Sequence, residues 1–363
     1  FNKCLVGDTE IYDASTGRLV RIADVYEQRA TLSSVATCDV DTLRLDHGRV
    51  LDVMDNGIKA VFRLRTESGR EIVATGNHPL LLIDGWRHLE SIAVGEHIAV
   101  PRALPSGPRA TWAAHEVIAL GHLLAEGNLG HPTGVYYYNQ DEAAVADFIA
   151  AAESFSNVRC TRTTHKGTES VYTGRVDRKA PNGIFEWARD LGMLGKTAPN
   201  KEVPASAFTL GNEQIGLLLG RMWDGDGHIN VRDASAYYAT SSKRLAQQVQ
   251  HLLLRLGILG RIRSVMFPYR GGQRIGYQLF VTGVENLRPF AERVGCHLVA
   301  PAKLAAMAAM PLPDEPASSK DLVPVGPVRA LARAAKARRG DLWSDVEKGA
   351  DVSARDLYPV GTN

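Results

Sequence analysis

The sequence predicts a multidomain protein in which a mainly β unit is interrupted by an α+β unit with internal pseudo-twofold symmetry. Three observations carry this expectation. Residues 4–102 consist of short alternating runs divided by Gly and Asp turns, the pattern of half-buried strands. From about residue 111 to about residue 310 the texture is Ala- and Leu-rich with helical periodicity, interrupted by Gly-rich strands. Inside that stretch one unit occurs twice, which points to duplication.

The elements follow in order. In the first unit the alternation marks strands at residues 60–66, 71–75 and 97–100. ALGHLLAEGNL (residues 119–129) and LLGRMWDGDGHI (218–229) then align on Gly127 and Gly227, which brings Glu126 and Asp226 to the same position. Each copy reads as a helix with small residues on one side: Gly121 and Ala125 in the first, Gly220 in the second. Gly127 and Gly227 suit left-handed caps that stop the helices. Each copy continues into a tyrosine-containing strand and a helix, VYYYNQDEAAVADFI and AYYATSSKRLAQQVQHLLLRLGI. A Pro- and Ser-rich linker, PLPDEPASSK (311–320), leads to a short helix and a final strand-like run, ARDLYPV.

Two such helices packed side by side would place Glu126 and Asp226 together at one end. Paired carboxylates are hard oxygen ligands suited to Mg²⁺, and divalent ions held between them can clamp the oxygens of a phosphodiester under hydrolysis. One acid before a glycine at a helix end is commonplace; two at the same point of a repeat are much less so.

Composition limits the function classes. There is no run of eighteen apolar residues, so no membrane span is expected, and no basic segment followed by an apolar stretch opens the chain as a signal peptide would. The four cysteines, Cys4, Cys38, Cys160 and Cys296, form no CxxC pair, which argues against structural zinc and a disulfide framework and for a reducing cytoplasm. Net charge is only +2, yet basic residues cluster at 329–339 and again at Arg159, Arg162, Lys166, Arg175, Arg178 and Lys179. Such clusters read equally as DNA-contacting patches or as solvated surface.

The duplicated segments resemble the LAGLIDADG motif of homing endonucleases, the second copy more closely, since Leu124 stands where Asp224 lies in its mate. The resemblance covers roughly residues 111–310. It implies Mg²⁺ at Glu126 and Asp226, an active-site lysine at Lys201 within GKTAPNKEVP, and a second basic candidate at Lys243. It also implies two αββαββα-type halves whose sheets form a saddle over double-stranded DNA.

The flanks resemble the Hint-type splicing domain of inteins, of horseshoe shape. CLVGDTEIYDASTGRLVRIADV resembles the N-terminal splicing block with Cys4 first, TGNHPL the T-x-x-H block formed by Thr75 and His78, and ARDLYPVGTN the penultimate block with Asp356. A cysteine thiolate is the right nucleophile to turn the preceding amide into a thioester, and an imidazole can act as acid or base near neutral pH. A lone cysteine is otherwise usually a buried small hydrophobe.

The expected layout is residues 1–3 as a remnant of the upstream host segment (extein), 4–102 and 325–363 as the splicing domain, and 103–324 as the endonuclease with its linkers. Either Asn363 is a terminal cyclising asparagine with Thr362 in place of the usual histidine, or the final splicing strand is missing; the missing strand is favoured because Asp356 lies so near the end. Phe1-Asn2-Lys3 resembles a motif of bacterial replicative DNA polymerase catalytic subunits. The partners implied are the flanking host polypeptide and double-stranded DNA at the intein-free host allele, approached as a monomer. Two rivals remain: a splicing element with a decayed endonuclease, and a non-catalytic DNA-binding protein of LAGLIDADG shape.

Overall fold

The computed structural model describes residues 3–313 apart from 40, 41, 43, 106–109 and 270. Asp356, the 329–339 basic cluster and the expected 325–363 portion of the splicing domain lie outside the described residues.

The N-terminal segment is a series of antiparallel two-stranded hairpins. β1 (Glu10–Tyr12) pairs with β2 (Leu19–Arg21), which leads into a short helix, α1 (Ile22–Tyr26). β3 (Ser34–Asp39) pairs with β4 (Arg44–Arg49), β5 (Val61–Arg65) with β6 (Glu71–Thr75), and β7 (Pro79–Leu82) with β8 (Gly85–His88). Two of the expected strands are thus present. The third, residues 97–100, is not: it offers a single ladder-like bond, Ala99 N–H to Leu81 O at 2.8 Å. Alternation alone makes no strand without a neighbour to complete the ladder. Leu51, Met54, Ile58 and Val94 stay more than half exposed here.

The central unit is built twice on one plan. The first half runs α2 (Ala114–Glu126), β9 (Gly127–Asn128), β10 (Tyr136–Asn139), α3 (Glu142–Glu153), β11 (Val158–His165), β12 (Thr168–Arg175) and α4 (Gly183–Asp190). The second runs α5 (Asn212–Asp226), β13 (Gly227–Asn230), β14 (Ser235–Thr240), α6 (Lys243–Arg255), β15 (Gly260–Tyr269), β16 (Gly272–Thr282) and α7 (Val284–Arg293), followed by α8 (Pro301–Ala308). The sheets have strand orders β11-β12-β10-β9 and β15-β16-β14-β13, the same topology in each half. This is the αββαββα plan that the LAGLIDADG resemblance implied.

Local chemistry repeats as well. Asp141 caps α3 by accepting from the Ala143 and Ala144 amides, and Ser242 caps α6 by accepting from Leu245. Before each cap a polar side chain turns the chain: Asn139 accepts from the Asp141 amide, and Thr240 from that of Ser242. One contiguous core joins both halves, with Leu120, Leu123, Tyr137 and Phe148 from the first packed into the same body as Leu218, Met222, Trp223 and Tyr238 from the second.

The α2/α5 contact at its centre depends on glycine. A Cβ on Gly121 would lie 2.5 Å from Arg221 Cβ and 2.8 Å from Leu218 O; one on Gly225 would lie 2.5 Å from Ala125 Cβ. Gly121 and Ala125 therefore do face the partner helix. Gly220 does not: its missing Cβ would meet His297 at 2.7 Å, so it admits the segment after α7 instead, and Gly225 is the true counterpart. The interface also buries a polar knot. His122 Nε2 lies 2.9 Å from Asp147 Oδ2, and Arg221 Nε donates to the same oxygen at 2.6 Å while its Nη1 reaches His297 O.

Candidate functional sites

Gly127 and Gly227 are not left-handed caps. Both have extended backbone, φ −77° and −89°, and each opens a strand directly from the last helical residue. A Cβ would strike the carbonyl oxygen four residues back at 2.5 Å, on Leu123 or Trp223. Glycine is required because the chain leaves the helix with no connecting residue, which holds Glu126 and Asp226 at the junction of helix and sheet.

The two carboxylates are brought together as expected. They line one cleft of about 370 Å³ with Lys201, Ala239, Val265 and Gln278. Burial and the Glu126 charge push the Asp226 carboxyl up to about 7, against opposing pulls from Lys201 and Lys303. Burial likewise raises Glu126. Lys201 is 7% exposed, and burial pulls its ammonium down to about 8 although Asp226 and Glu126 favour its charge. Its Nζ donates to Ala125 O at 2.7 Å, at the negative end of α2.

A second lysine plays the same part in the other half. Lys303 Nζ donates to the carbonyls of Trp223 (2.6 Å), Asp224 (2.7 Å) and Gly225 (3.1 Å), closing the end of α5. Asp224 fixes the segment that carries it, accepting from the Val299 and Ala300 amides. Lys303 was not among the expected site residues, though the sequence carries a signal for it: Ala-Pro-Asn-Lys at 198–201 recurs as Ala-Pro-Ala-Lys at 300–303. Lys243 is not brought into the cleft. It opens α6, and its ammonium pairs with Glu71 at 3.0 and 3.2 Å.

Among the described residues there is no group of three or more His, Cys, Asp and Glu poised for a metal. A divalent cation at the carboxylate pair would take its other oxygens from water or substrate. The pair itself fits such an ion, being two hard donors whose mutual repulsion a cation would relieve.

The outer face of each sheet, opposite the core, is rich in rings. Tyr136 and Tyr138 stack at 6.1 Å beside Tyr172 and His131, whereas Tyr137 between them is buried. In the second half Tyr237 lies against Phe280 and His228, with the Arg263 guanidinium 5.2 Å above the Phe280 ring. That second face continues into the carboxylate cleft through Ala239, Val265 and Gln278.

In the N-terminal segment the structure joins Cys4, Thr75 and His78. The Cys4 amide donates to Thr75 Oγ1 at 3.0 Å, and the Thr75 amide donates to Cys4 O at 3.0 Å. The His78 amide bonds Thr75 O at 2.9 Å. Burial, with a smaller contribution from Lys3, holds the His78 imidazole below its usual range, and its Nδ1 is buried without a partner among the described residues. Asn56, which no sequence pattern marks, donates from Nδ2 to Cys4 Sγ at 3.4 Å.

Residues 213–295 match the model of the LAGLIDADG-like domain, so the second half contains such a domain. A replicative DNA helicase DnaB of Rhodothermus marinus is 37% identical over 304 residues, 80% of this chain and 32% of the helicase. Protein RecA of Mycobacterium bovis is 28% identical over 313 residues, 81% of this chain and 39% of RecA. The chain thus spans about a third of the length of the curated relatives it matches, and neither is the polymerase subunit that Phe1-Asn2-Lys3 resembles. A DnaB intein structure from Synechocystis sp. PCC 6803 is 38% identical, covering 28% of this chain and 70% of that one. Its TM-score is 0.26, too low to bear on the fold. No helix among the described residues is long and apolar enough to cross a membrane.

Proposed function

We propose that this chain is an intein: a segment that excises itself from a host protein and carries a site-specific endonuclease that cuts double-stranded DNA at the intein-free host allele. One observation carries the nuclease reading. Two duplicated helices deliver Glu126 and Asp226 into one cleft, each helix end closed by its own lysine. On this reading the carboxylates hold Mg²⁺, which when bound would polarise the scissile phosphate and activate water. Lys201 and Lys303 keep positive potential beside the place where phosphate charge would lie. The outer faces of the two sheets, with Tyr136, Tyr138, Tyr237 and Arg263, contact the duplex, rings and guanidinium meeting base edges and backbone.

The splicing reading rests on the grip on Cys4. Cys4 Sγ attacks the carbonyl carbon of Lys3; the bond from that carbon to the Cys4 nitrogen breaks, and the nitrogen leaves as an amine by taking a proton. The product is a thioester and the step is an isomerisation. Thr75 Oγ1 accepts from the nitrogen that must leave and so orients it, His78 handles the proton, and Asn56 Nδ2 donates to the sulfur and so orients it. A downstream host nucleophile would then take the acyl group, and a terminal asparagine would cyclise, with Asp356 assisting. One sequence block found within both a helicase and a RecA protein supports a mobile insertion rather than part of either host's machinery.

The test has two arms. Plasmid bearing the uninterrupted host gene should be cut with Mg²⁺, and Glu126→Gln or Asp226→Asn should abolish cutting. DNA binding without nicking by the unaltered protein would instead favour a decayed nuclease or a non-catalytic binder. Thiol-induced cleavage before Cys4 should vanish in Cys4→Ala; its absence from the unaltered protein would refute the splicing arm.

A further inference from the structure

The strand that holds Cys4 is anchored at its other end on the second half of the central unit. The turn joining β5 to β6, residues 66–70, lies along β15, the edge strand of the second sheet. Ile262 N–H, on that open edge, donates to Ser68 O at 3.0 Å, and Gln250 Nε2 donates to the same oxygen at 2.9 Å. Gly69, at φ +84°, presses so close that a Cβ would stand 2.9 Å from Ile262 Cβ. Next in sequence, Glu71 takes the Lys243 ammonium, which holds its carboxyl below the usual carboxylate range. Arg244 pairs with Glu10 on β1, and the Tyr12 ring lies 5.4 Å from that of His251.

β6 is therefore a short strut. At Glu71 it is fastened to α6; at Thr75, roughly 13 Å away at ~3.3 Å per residue, it holds the Cys4 backbone through both the amide and the carbonyl. Among the described residues the corresponding edge of the first half, β11, has no such cover: from Thr161 to His165 its residues are exposed.

We infer that Lys243 and Gln250 are positioning residues for activation of the Lys3–Cys4 bond, setting Thr75 against the Cys4 amide by fixing the far end of β6. The inference rests on the splicing reading. β15 carries both this support, through Arg261 and Ile262, and part of the wall of the carboxylate cleft, through Val265 and Phe267. One strand thus links the two sites.

The test uses the full chain with its upstream residues. Lys243→Glu sets a carboxylate against Glu71 on an exposed helix start and should slow thiol-induced cleavage before Cys4 by roughly three- to tenfold. Lys243→Arg should restore the rate, and the thermal midpoint should change little in either. Gln250→Leu, which leaves Ser68 O without its side-chain donor, should slow cleavage by about tenfold. In both slow variants the Thr75 amide should exchange with solvent faster, a change that loss of nucleophile reactivity alone would not produce. Cleavage at the unaltered rate with unchanged Thr75 exchange in Lys243→Glu and Gln250→Leu would overturn the inference. If the unaltered protein does not cleave at Cys4, the splicing reading fails by itself, and Thr75 exchange still decides whether α6 and β15 hold the strand.

Discussion

Substituting Gly121 by alanine sets two effects of opposite sign against each other. Within a helix alanine is favoured over glycine by about 1 kcal/mol, so in isolation α2 would gain. The structure puts the new methyl 2.5 Å from Arg221 Cβ and 2.8 Å from Leu218 O. Non-bonded carbons settle near 3.5–4.0 Å, so α2 and α5 must part by about 1 Å. Neither obstacle is the loose tip of a side chain, since one is a Cβ and the other a backbone oxygen. Overpacking of this kind costs about 1–3 kcal/mol, and its upper range applies, leaving a net loss of about 1–2 kcal/mol. The same movement separates Glu126 from Asp226, and a misplacement near 1 Å can lower a reaction rate by ~10²-fold. Urea unfolding should show a lower midpoint with unchanged slope, and plasmid cleavage with Mg²⁺ should fall far more than stability does. A Gly121→Ala protein that is more stable and cuts normally would refute the close packing of the two helices as the source of the carboxylate pair.

Other outcomes follow from the same geometry. The Asp226 carboxyl is raised from its ordinary 3.8 to about 7, so the folded state binds its proton more tightly than the unfolded one. The stability this gives is complete below about pH 4 and is lost as pH rises through 7; metal-free protein should lose stability across that range, and Asp226→Asn should flatten the loss in thermal melts while abolishing cutting. Asp147→Ala strips Arg221 and His122 of their shared carboxylate inside the interface and should cost roughly 3–5 kcal/mol in denaturant unfolding. Lys303→Met frees the carbonyls at the end of α5 and removes a positive charge beside the pair; cutting should drop while cleavage at Cys4 persists, as two separate assays on one preparation would reveal. Asn56→Ala removes a donor to Cys4 Sγ and should slow the thiol-induced reaction by about threefold to tenfold, with no effect on DNA cutting.

The duplication and the acid pair were legible in the sequence because each follows from pattern, a repeated helix end and an acid at a fixed place in it; Cys4 and Thr75 were marked only by the resemblance of their separate blocks, which did not say that the Cys4 amide would meet Thr75 Oγ1. What pattern could not carry is direction. A glycine after a helix serves equally as a left-handed cap or as the pivot of a direct exit into a strand, and only the 2.5 Å approach to Leu123 O or Trp223 O distinguishes them. Gly220 has the right residue type, but the side of α5 it occupies depends on helix rotation, and it meets His297. Lys243 is basic and near the second motif, yet its charge was matched by Glu71, well over a hundred residues earlier in the chain. Lys303 lay in a repeated Ala-Pro-x-Lys tetrapeptide too short to stand out until its mate was seen on a helix end. Asn56 sits in an exposed stretch without strand or helix, where nothing constrains residue type enough to announce a role.

The hold on residues 66–71 has a consequence in time as well as space. A ribosome makes the strand ending at Thr75 early, but Lys243, Gln250 and Ile262, which fasten it, emerge much later. A nascent chain that contains Cys4, Thr75 and His78 still lacks the support that aligns them. On the splicing reading, an unfinished or truncated product would therefore cleave before Cys4 more slowly than the complete chain, and the bond would reach its full reactivity once the second half had been synthesised and folded.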